Sequence, residues 1–203
     1  QTDLDLKQVY YGLQMQMLTY MDVVLSNTAR LGLKSDVIPA GMLYFHVYNP
    51  KLSFNVKQGA EQLFDERFNK YSMQGFILDD IEIAKDMDTT LEAGQKSKIV
   101  PAMLKNDGSF NKRSSRTLAL EEMHALIQHN KQQFMHTAQN ILQGDSRINP
   151  VRYDKLNPCQ YCAFKSVCHI DPILNQEDIR TFDKEIDPLN EIMKAVNKDA
   201  MDS

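Results

Sequence analysis

Residues 157–171 read NPCQYCAFKSVCHID, and they hold Cys159, Cys162 and Cys168, every cysteine the chain has. The spacing is C-x2-C-x5-C. Two thiolates at x2 can grip one metal or cluster from a single turn of backbone, and the third returns on the same loop. Thiolate ligands suit zinc or an iron–sulfur cluster, and such centres ordinarily take four ligands. His169 follows Cys168 directly, so a Cys3His zinc site is one reading. Adjacent residues rarely reach the same small ion, which weakens it. A haem attachment C-x-x-C-H is excluded, because Ala163 follows Cys162. The plain alternative is three thiols that hold nothing.

The rest of the chain sets the context for these thiols. Three cysteines within ten residues do not make a secreted disulfide framework, which is normally even in number and spread out. A reduced cytoplasmic protein fits better. The 203 residues, 42% of them apolar, can bury a sizeable core. No apolar run approaches the ~20 residues that span a bilayer, so no membrane partner is expected. The first residues, QTDLDLKQ, lack a starting Met and carry no signal-peptide pattern. They read as a cut inside a longer protein or as a processed end.

Net charge is −4 but uneven: residues 1–95 carry −5, residues 96–116 carry +5, and residues 117–203 carry −4. The basic segment KSKIVPAMLKNDGSFNKRSSR is where a phosphate backbone could be met, through Lys105, Lys112, Arg113 and Arg116. Its bland reading is a solvated hairpin arm.

Hydrophobic periodicity predicts an amphipathic helix from Val9 to about Leu31, with Val9, Leu13, Met17, Tyr20, Met21 and Val24 on one stripe and Gly32 as its stop. Residues 39–47 read as a short buried strand. A helix is expected over 55–72, faced by Ala60, Leu63, Phe64, Phe68 and Tyr71. A second short helix is expected over 76–87, then a strand over 98–104. Asn106-Asp107-Gly108 is a turn signal. Leu118 to Leu142 is the longest helical pattern, with Leu120, Met123, Ile127, Phe134, Ala138 and Ile141 facing inward and Gly144 ending it. The last thirty residues read as a weak helical pattern fraying into an acidic tail. Two isolated strands cannot make a self-sufficient sheet. They pair with each other, or they complete a sheet whose other strands lie upstream.

The first helix carries one more pattern, in YYGLQMQMLTYMD at 10–22. Gln16 and Tyr20 stand at i and i+4, so an amide and a phenol project from neighbouring points on one face. Any amphipathic helix can contain Q-x-x-x-Y, with the Tyr as core aromatic and the Gln at the rim.

Together, YYGLQMQMLTYMD at 10–22, AGMLYFHVYNP at 40–50, KNDGSFNKRSS at 105–115 and GDSRINPVRYDKLNPCQYCAFKSVCHID at 144–171 resemble one family. The chain is similar to the C-terminal part of the nuclease domain in the B subunit of bacterial AddAB-type (RexAB-type) helicase–nucleases. The resemblance covers most of residues 4–171. It implies a mixed α/β (α+β), mostly helical chain of the restriction-endonuclease-like PD-(D/E)XK fold. Residues 1–171 would be nuclease domain and 172–203 an acidic tail.

It also implies an ATP-dependent exodeoxyribonuclease that processes double-strand DNA ends with Mg²⁺, beside an A subunit. The family's Q-x-x-x-Y helix matches Gln16 and Tyr20. Three ligands of its 4Fe–4S cluster match Cys159, Cys162 and Cys168, and the fourth lies far upstream in the family. A staple closing so long a loop removes much unfolded-state entropy.

The chain departs from the family in having no Asp strand and no D/E-x-K strand. Asp3, Asp5 and Lys7 mimic D-x-D-x-K but abut the helix that should follow that strand. Without carboxylates, the two metal ions of phosphodiester hydrolysis have no holder. The 203-residue chain alone is therefore expected to be inactive, and to self-associate through surfaces a longer protein would cover. Two alternatives stand beside this reading. One is a non-catalytic zinc-binding interaction module built on the three cysteines and a His. The other is a CRISPR-associated iron–sulfur nuclease, against which the long insertion between Q-x-x-x-Y and the cysteines argues.

Overall fold

The structure, a computed structural model, describes residues 3–33, 36–49, 60–153, 157–171, 173–183 and 185–201. It is built of seven helices and two small sheets among these residues.

Chain entry is a compact turn and not one long helix. Helix α1 covers Leu6–Tyr10 and α2 covers Gln16–Ser26. Gly12 breaks the expected continuous helix by taking φ +73, a left-handed conformation that costs glycine little. The Leu13 N–H then turns back to the Gln8 carbonyl at 2.7 Å. Gln14, only 6% exposed, locks the break: its Oε1 accepts from the Asp5 N–H at 2.8 Å, and its Nε2 donates to the Asp3 carbonyl. The buried stripe rotates accordingly. Leu18 lies in the core, Met17, Met21 and Leu25 pack beside it, and Tyr20 and Val24 face solvent.

The larger sheet has the order β1-β2-β3, from Gly41–Tyr44, Gln74–Leu78 and Thr117–Leu118. Strand β1 pairs antiparallel with β2, Gly41 opposite Ile77, and β2 pairs parallel with β3, Ile77 opposite Thr117. Strand β2 replaces the expected start of a helix at Phe76. It is a short apolar run buried on both faces, and such a run carries no periodicity to separate strand from helix. Phe76 and Leu78 face the larger core, Ile77 the smaller one. Gly75, at φ +135, lets β1 pass at a distance that leaves no room for a Cβ, which would sit 2.0 Å from the Met42 carbonyl oxygen.

Helix α4, Ile81–Met87, starts at Asp80, whose carboxylate accepts from the N–H groups of Glu82 and Ile83. The expected 98–104 strand is reduced to two bridges, Lys96 with Met103 and Leu104 with Phe110. The second of these encloses the turn at Asn106-Asp107-Gly108, where Gly108 takes φ +81. Buried Asp88 pins this arm. It accepts from Ser97 Oγ at 2.5 Å and Thr90 Oγ1 at 2.6 Å, and although burial opposes it, these bonds hold its carboxyl below the ordinary value.

Helix α3 is described over Ala60–Asn69, and the expected residues 55–59 lie outside the described residues, as do the side chains of Ala60 and Phe64. Phe68, expected inward, is 41% exposed.

Helix α5, Leu120–Leu142, begins where Glu122 accepts from the Ala119 N–H and ends before Gly144 at φ +76. Its first half is core, with Met123 and Leu126 fully buried. Its second half projects: Phe134, Ala138 and Ile141, expected inward, are exposed. The reverse holds at the other end of the chain. Residues 188–201, expected to fray, form helix α7, Pro188–Met201, which packs on α1 and α5 with Ile192 fully buried.

Candidate functional site

Gln16 and Tyr20 open α2 on its solvent face. The Gln16 amide donates to the Tyr20 hydroxyl at 2.7 Å, and Tyr20 is 58% exposed. The rim-and-core alternative for this pair therefore does not describe the molecule: both groups face outward. Beneath them Asn130 of α5 donates to Thr19 Oγ1 at 3.0 Å, and Asp22 pairs with Lys131 at 2.8 Å. The pair stands on a surface braced by the longest helix.

Asp3, Asp5 and Lys7 are brought together around α1, but their polar atoms are occupied. Asp3 pairs with Arg116. Asp5 caps α1 through the Lys7 N–H at 2.9 Å and accepts from Gln8 and from the Tyr153 hydroxyl. Among the described residues no group of three or more His, Cys, Asp or Glu side chains stands close enough to hold a metal ion. The carboxylates present do not fit Mg²⁺.

The four basic candidates separate. Arg116 is engaged on three sides: by the Asp3 carboxylate, by the Leu4 carbonyl at 2.8 Å, and by the ring of Phe76, over which its guanidinium lies at 4.4 Å. Its partners make it a tie for the chain entry. Lys112 pairs with Asp79 at 2.5 Å. Lys105 and Lys112 line one open cleft with Asp79, Asp80, Glu82 and Asp107, so acidic neighbours offset much of their field. Arg113 is exposed. Tyr44 of β1 sits near Asp3, and burial together with the negative charge of Asp3 raises its phenol above the ordinary value.

The cysteine loop has a built base. Strand β4, Val151–Arg152, pairs parallel with β5, Arg180–Thr181, so the two stems meet. Phe182 stacks on Tyr11 at 3.8 Å and leans on Tyr153 at 4.7 Å. The Asp183 N–H donates to the Tyr11 hydroxyl, and the Tyr153 hydroxyl donates to Asp5. The base is thereby bolted to α1. Sequence reasoning missed these aromatics and Gln14, because their partners are distant in sequence or are backbone groups that leave no pattern.

Within the loop, Cys159 follows Pro158 in a 3-10 turn, and Cys168 closes the one-turn helix α6, Lys165–Cys168. All three thiols are free, Cys162 exposed and the others half-buried. The three thiols are not gathered around one point among the described residues; as donor types, thiolates suit zinc or an iron–sulfur cluster. His169 takes φ +54 immediately after α6 and joins no metal-competent group.

No described helix is long and apolar enough to cross a membrane. Residues 1–169 match the sequence profile of the PD-(D/E)XK nuclease superfamily. Among curated proteins, the chain is 41% identical over 199 residues to the B subunit of the ATP-dependent helicase/deoxyribonuclease of Staphylococcus haemolyticus, covering 93% of this chain and 17% of that protein. It is 43% identical over 190 residues to the protein of the same name from Staphylococcus saprophyticus, covering 93% and 16%. For that of Staphylococcus aureus the figures are 40% over 191 residues, 93% and 16%. The chain thus spans about a sixth of the length of the curated relatives it matches. With a profile match that runs through the entry turn, both sheets' first strands and the cysteine loop, the chain belongs to the PD-(D/E)XK nuclease superfamily.

Proposed function

We propose that this sequence serves as the C-terminal part of the nuclease domain in the B subunit of a cytoplasmic ATP-dependent helicase–nuclease that processes DNA ends beside an A subunit. Residues 1–171 supply the nuclease part and 172–203 its acidic extension. The observation that carries the reading is the exposed Gln16–Tyr20 pair, hydrogen-bonded at 2.7 Å on a braced helix in a chain of this superfamily. An amide and a phenol locked together on an open face offer a donor and acceptor set for a DNA strand without needing to reorganise. Lys105, Lys112 and Arg113 are the backbone-contact candidates, while Arg116 holds the chain entry.

Hydrolysis in the whole protein would draw on Mg²⁺. Asp3 and Asp5 are committed to Arg116 and to the cap of α1, and no described group of carboxylates stands close enough to hold a metal ion, so the 203 residues alone do not cleave DNA. Cys159, Cys162 and Cys168 supply three thiolates of a 4Fe–4S cluster that ties the loop to other sequence.

The test substitutes Tyr20→Phe and Gln16→Leu in a polypeptide of the relatives' length, assembled with its partner. DNA hydrolysis should fall about tenfold or more while DNA-stimulated ATP hydrolysis is unchanged, the pattern of lost positioning at one site. Unchanged nuclease activity in both variants refutes the role given to the pair.

A further inference from the structure

The projecting half of α5 carries a stripe that the described residues leave uncovered. Phe134, Met135, Ala138, Ile141 and Leu142 recur at i, i+1, i+4, i+7 and i+8, which is one helix face. All five are exposed, Ile141 by 69% and Leu142 by 87%. The opposite face is amide and imidazole, with Asn140 bonded to His136 at 3.3 Å. No charged residue occurs from 132 to 144, in a chain that is 25% charged. A helix that stays in water gains from charges. An apolar stripe combined with charge depletion is the composition of an interface centre.

We propose that this stripe docks against another part of the same polypeptide in proteins of the relatives' length, seated helix-in-groove in an apolar cleft with an uncharged, hydrogen-bonding rim. Size selects this occupant. The helical part of the stretch is the 11 residues 132–142, about 16 Å of helix, against the ~20–30 residues a side that hold a free partner or a second copy. A tethered surface needs far less area, because its effective concentration is high. Length supplies the candidate: this chain accounts for 17% of a matched relative, so most of such a polypeptide lies elsewhere. The inference rests on the reading of this sequence as part of such a longer polypeptide, though not on its nuclease chemistry.

Hydroxyl-radical footprinting of Phe134 and Met135 tests it in three samples: the 203-residue chain, a polypeptide of the relatives' length carrying this sequence, and that polypeptide with its partner. Labelling should drop about tenfold in the long polypeptide alone, as water exclusion at an interface centre requires, and the partner should add nothing. Equal labelling in the short and long forms overturns the proposal. Protection that needs the partner, or that rises with concentration of the short chain, overturns it in favour of the A subunit or a second copy. Ile141→Glu with Leu142→Glu gives an independent reading. It should leave the unfolding midpoint of the short chain unchanged and restore labelling of Phe134 in the long one. A lowered midpoint in the short chain would show the stripe already covered there, and persistent protection in the long one would place the contact elsewhere.

Discussion

Arg116 grips Asp3 across 113 positions of chain, while the same guanidinium donates to the Leu4 carbonyl and lies over the Phe76 ring. One side chain therefore joins the approach to β3, the central strand β2 and the segment that feeds α1. Through the Gln14 lock, that segment sets where α2 starts, and with it the Gln16–Tyr20 pair.

Arg116→Ala should cost about 1.5–3 kcal/mol, the range for hydrogen bonds to a charged group. Arg116→Lys should recover only part, because an ammonium cannot stack and fork as a guanidinium does. Urea unfolding of Arg116→Ala, Asp3→Asn and the double variant measures the coupling. Strictly additive effects would mean the two side chains do not cooperate.

Gly75→Ala should be the most damaging glycine substitution in the sheet. At φ +135 the new Cβ would stand 2.0 Å from the Met42 carbonyl oxygen, so β1 must separate from β2. The expected loss is about 4 kcal/mol or more. Gly108→Ala meets nothing within 4 Å at φ +81 and should cost only about 1–2 kcal/mol, the conformational penalty alone. Thermal unfolding of the two variants gives the comparison, and equal losses would contradict the close β1–β2 approach.

How much of the fold is legible in the sequence depends on where the partner of each residue lies. The turn at 106–108, the extent of α5 and the shared face of Gln16 and Tyr20 are fixed by local rules, and local sequence shows them. Strand β2 is hidden because Phe76-Ile77-Leu78 is apolar on both faces. The break at Gly12 is hidden because Val9 to Leu31 keeps helical spacing across it, and the buried Gln14 amide, which locks the turn, bonds to backbone groups that leave no pattern. Helix α7 is legible in Leu189, Ile192, Met193 and Val196, which stand at i, i+3, i+4 and i+7 and pack in the core; only the acidic residues around them make the segment read as a tail. Periodicity finds one apolar face along α5, but only its first half, through Met123 and Leu126, is buried; Phe134, Ala138 and Ile141, expected inward, are exposed. Of the candidate site, the residues of Q-x-x-x-Y and the three cysteines are visible as motifs. The Arg116 tie and the Tyr11–Phe182–Tyr153 bolt are not.

Acid should weaken the fold through His129. The ring is buried, stacked parallel on Tyr10 at 5.8 Å, and its Nε2–H donates to the Tyr10 carbonyl at 3.1 Å. Burial lowers its pKa, and the hydrogen bond to Tyr10 only partly opposes this. Glu191, Lys194, Lys198 and Arg180 line the cleft beside it. A histidine with a depressed folded pKa binds its proton more readily unfolded. Its contribution is thus intact above the unfolded value of ~6.5 and is lost as pH falls below that. His129→Gln keeps a donor for Tyr10 and removes the titration. Unfolding midpoints measured from about pH 7.5 to about 5.5 should fall further for the parent chain than for the variant, and parallel curves would show that His129 does not titrate on unfolding.

The cysteine loop offers the most direct measurement: iron and zinc content, absorption spectrum and Mg²⁺-dependent DNA cleavage of anaerobically purified protein. It compares the 203-residue chain with a polypeptide of the relatives' length carrying the same sequence. The longer protein should be brown, hold about four iron atoms per polypeptide, lose them on Cys168→Ser, and cut DNA. The shorter one should be colourless and inert. One tightly held zinc in both forms, with no iron gained by the longer one, would make the cysteines a local module and contradict the iron–sulfur nuclease reading.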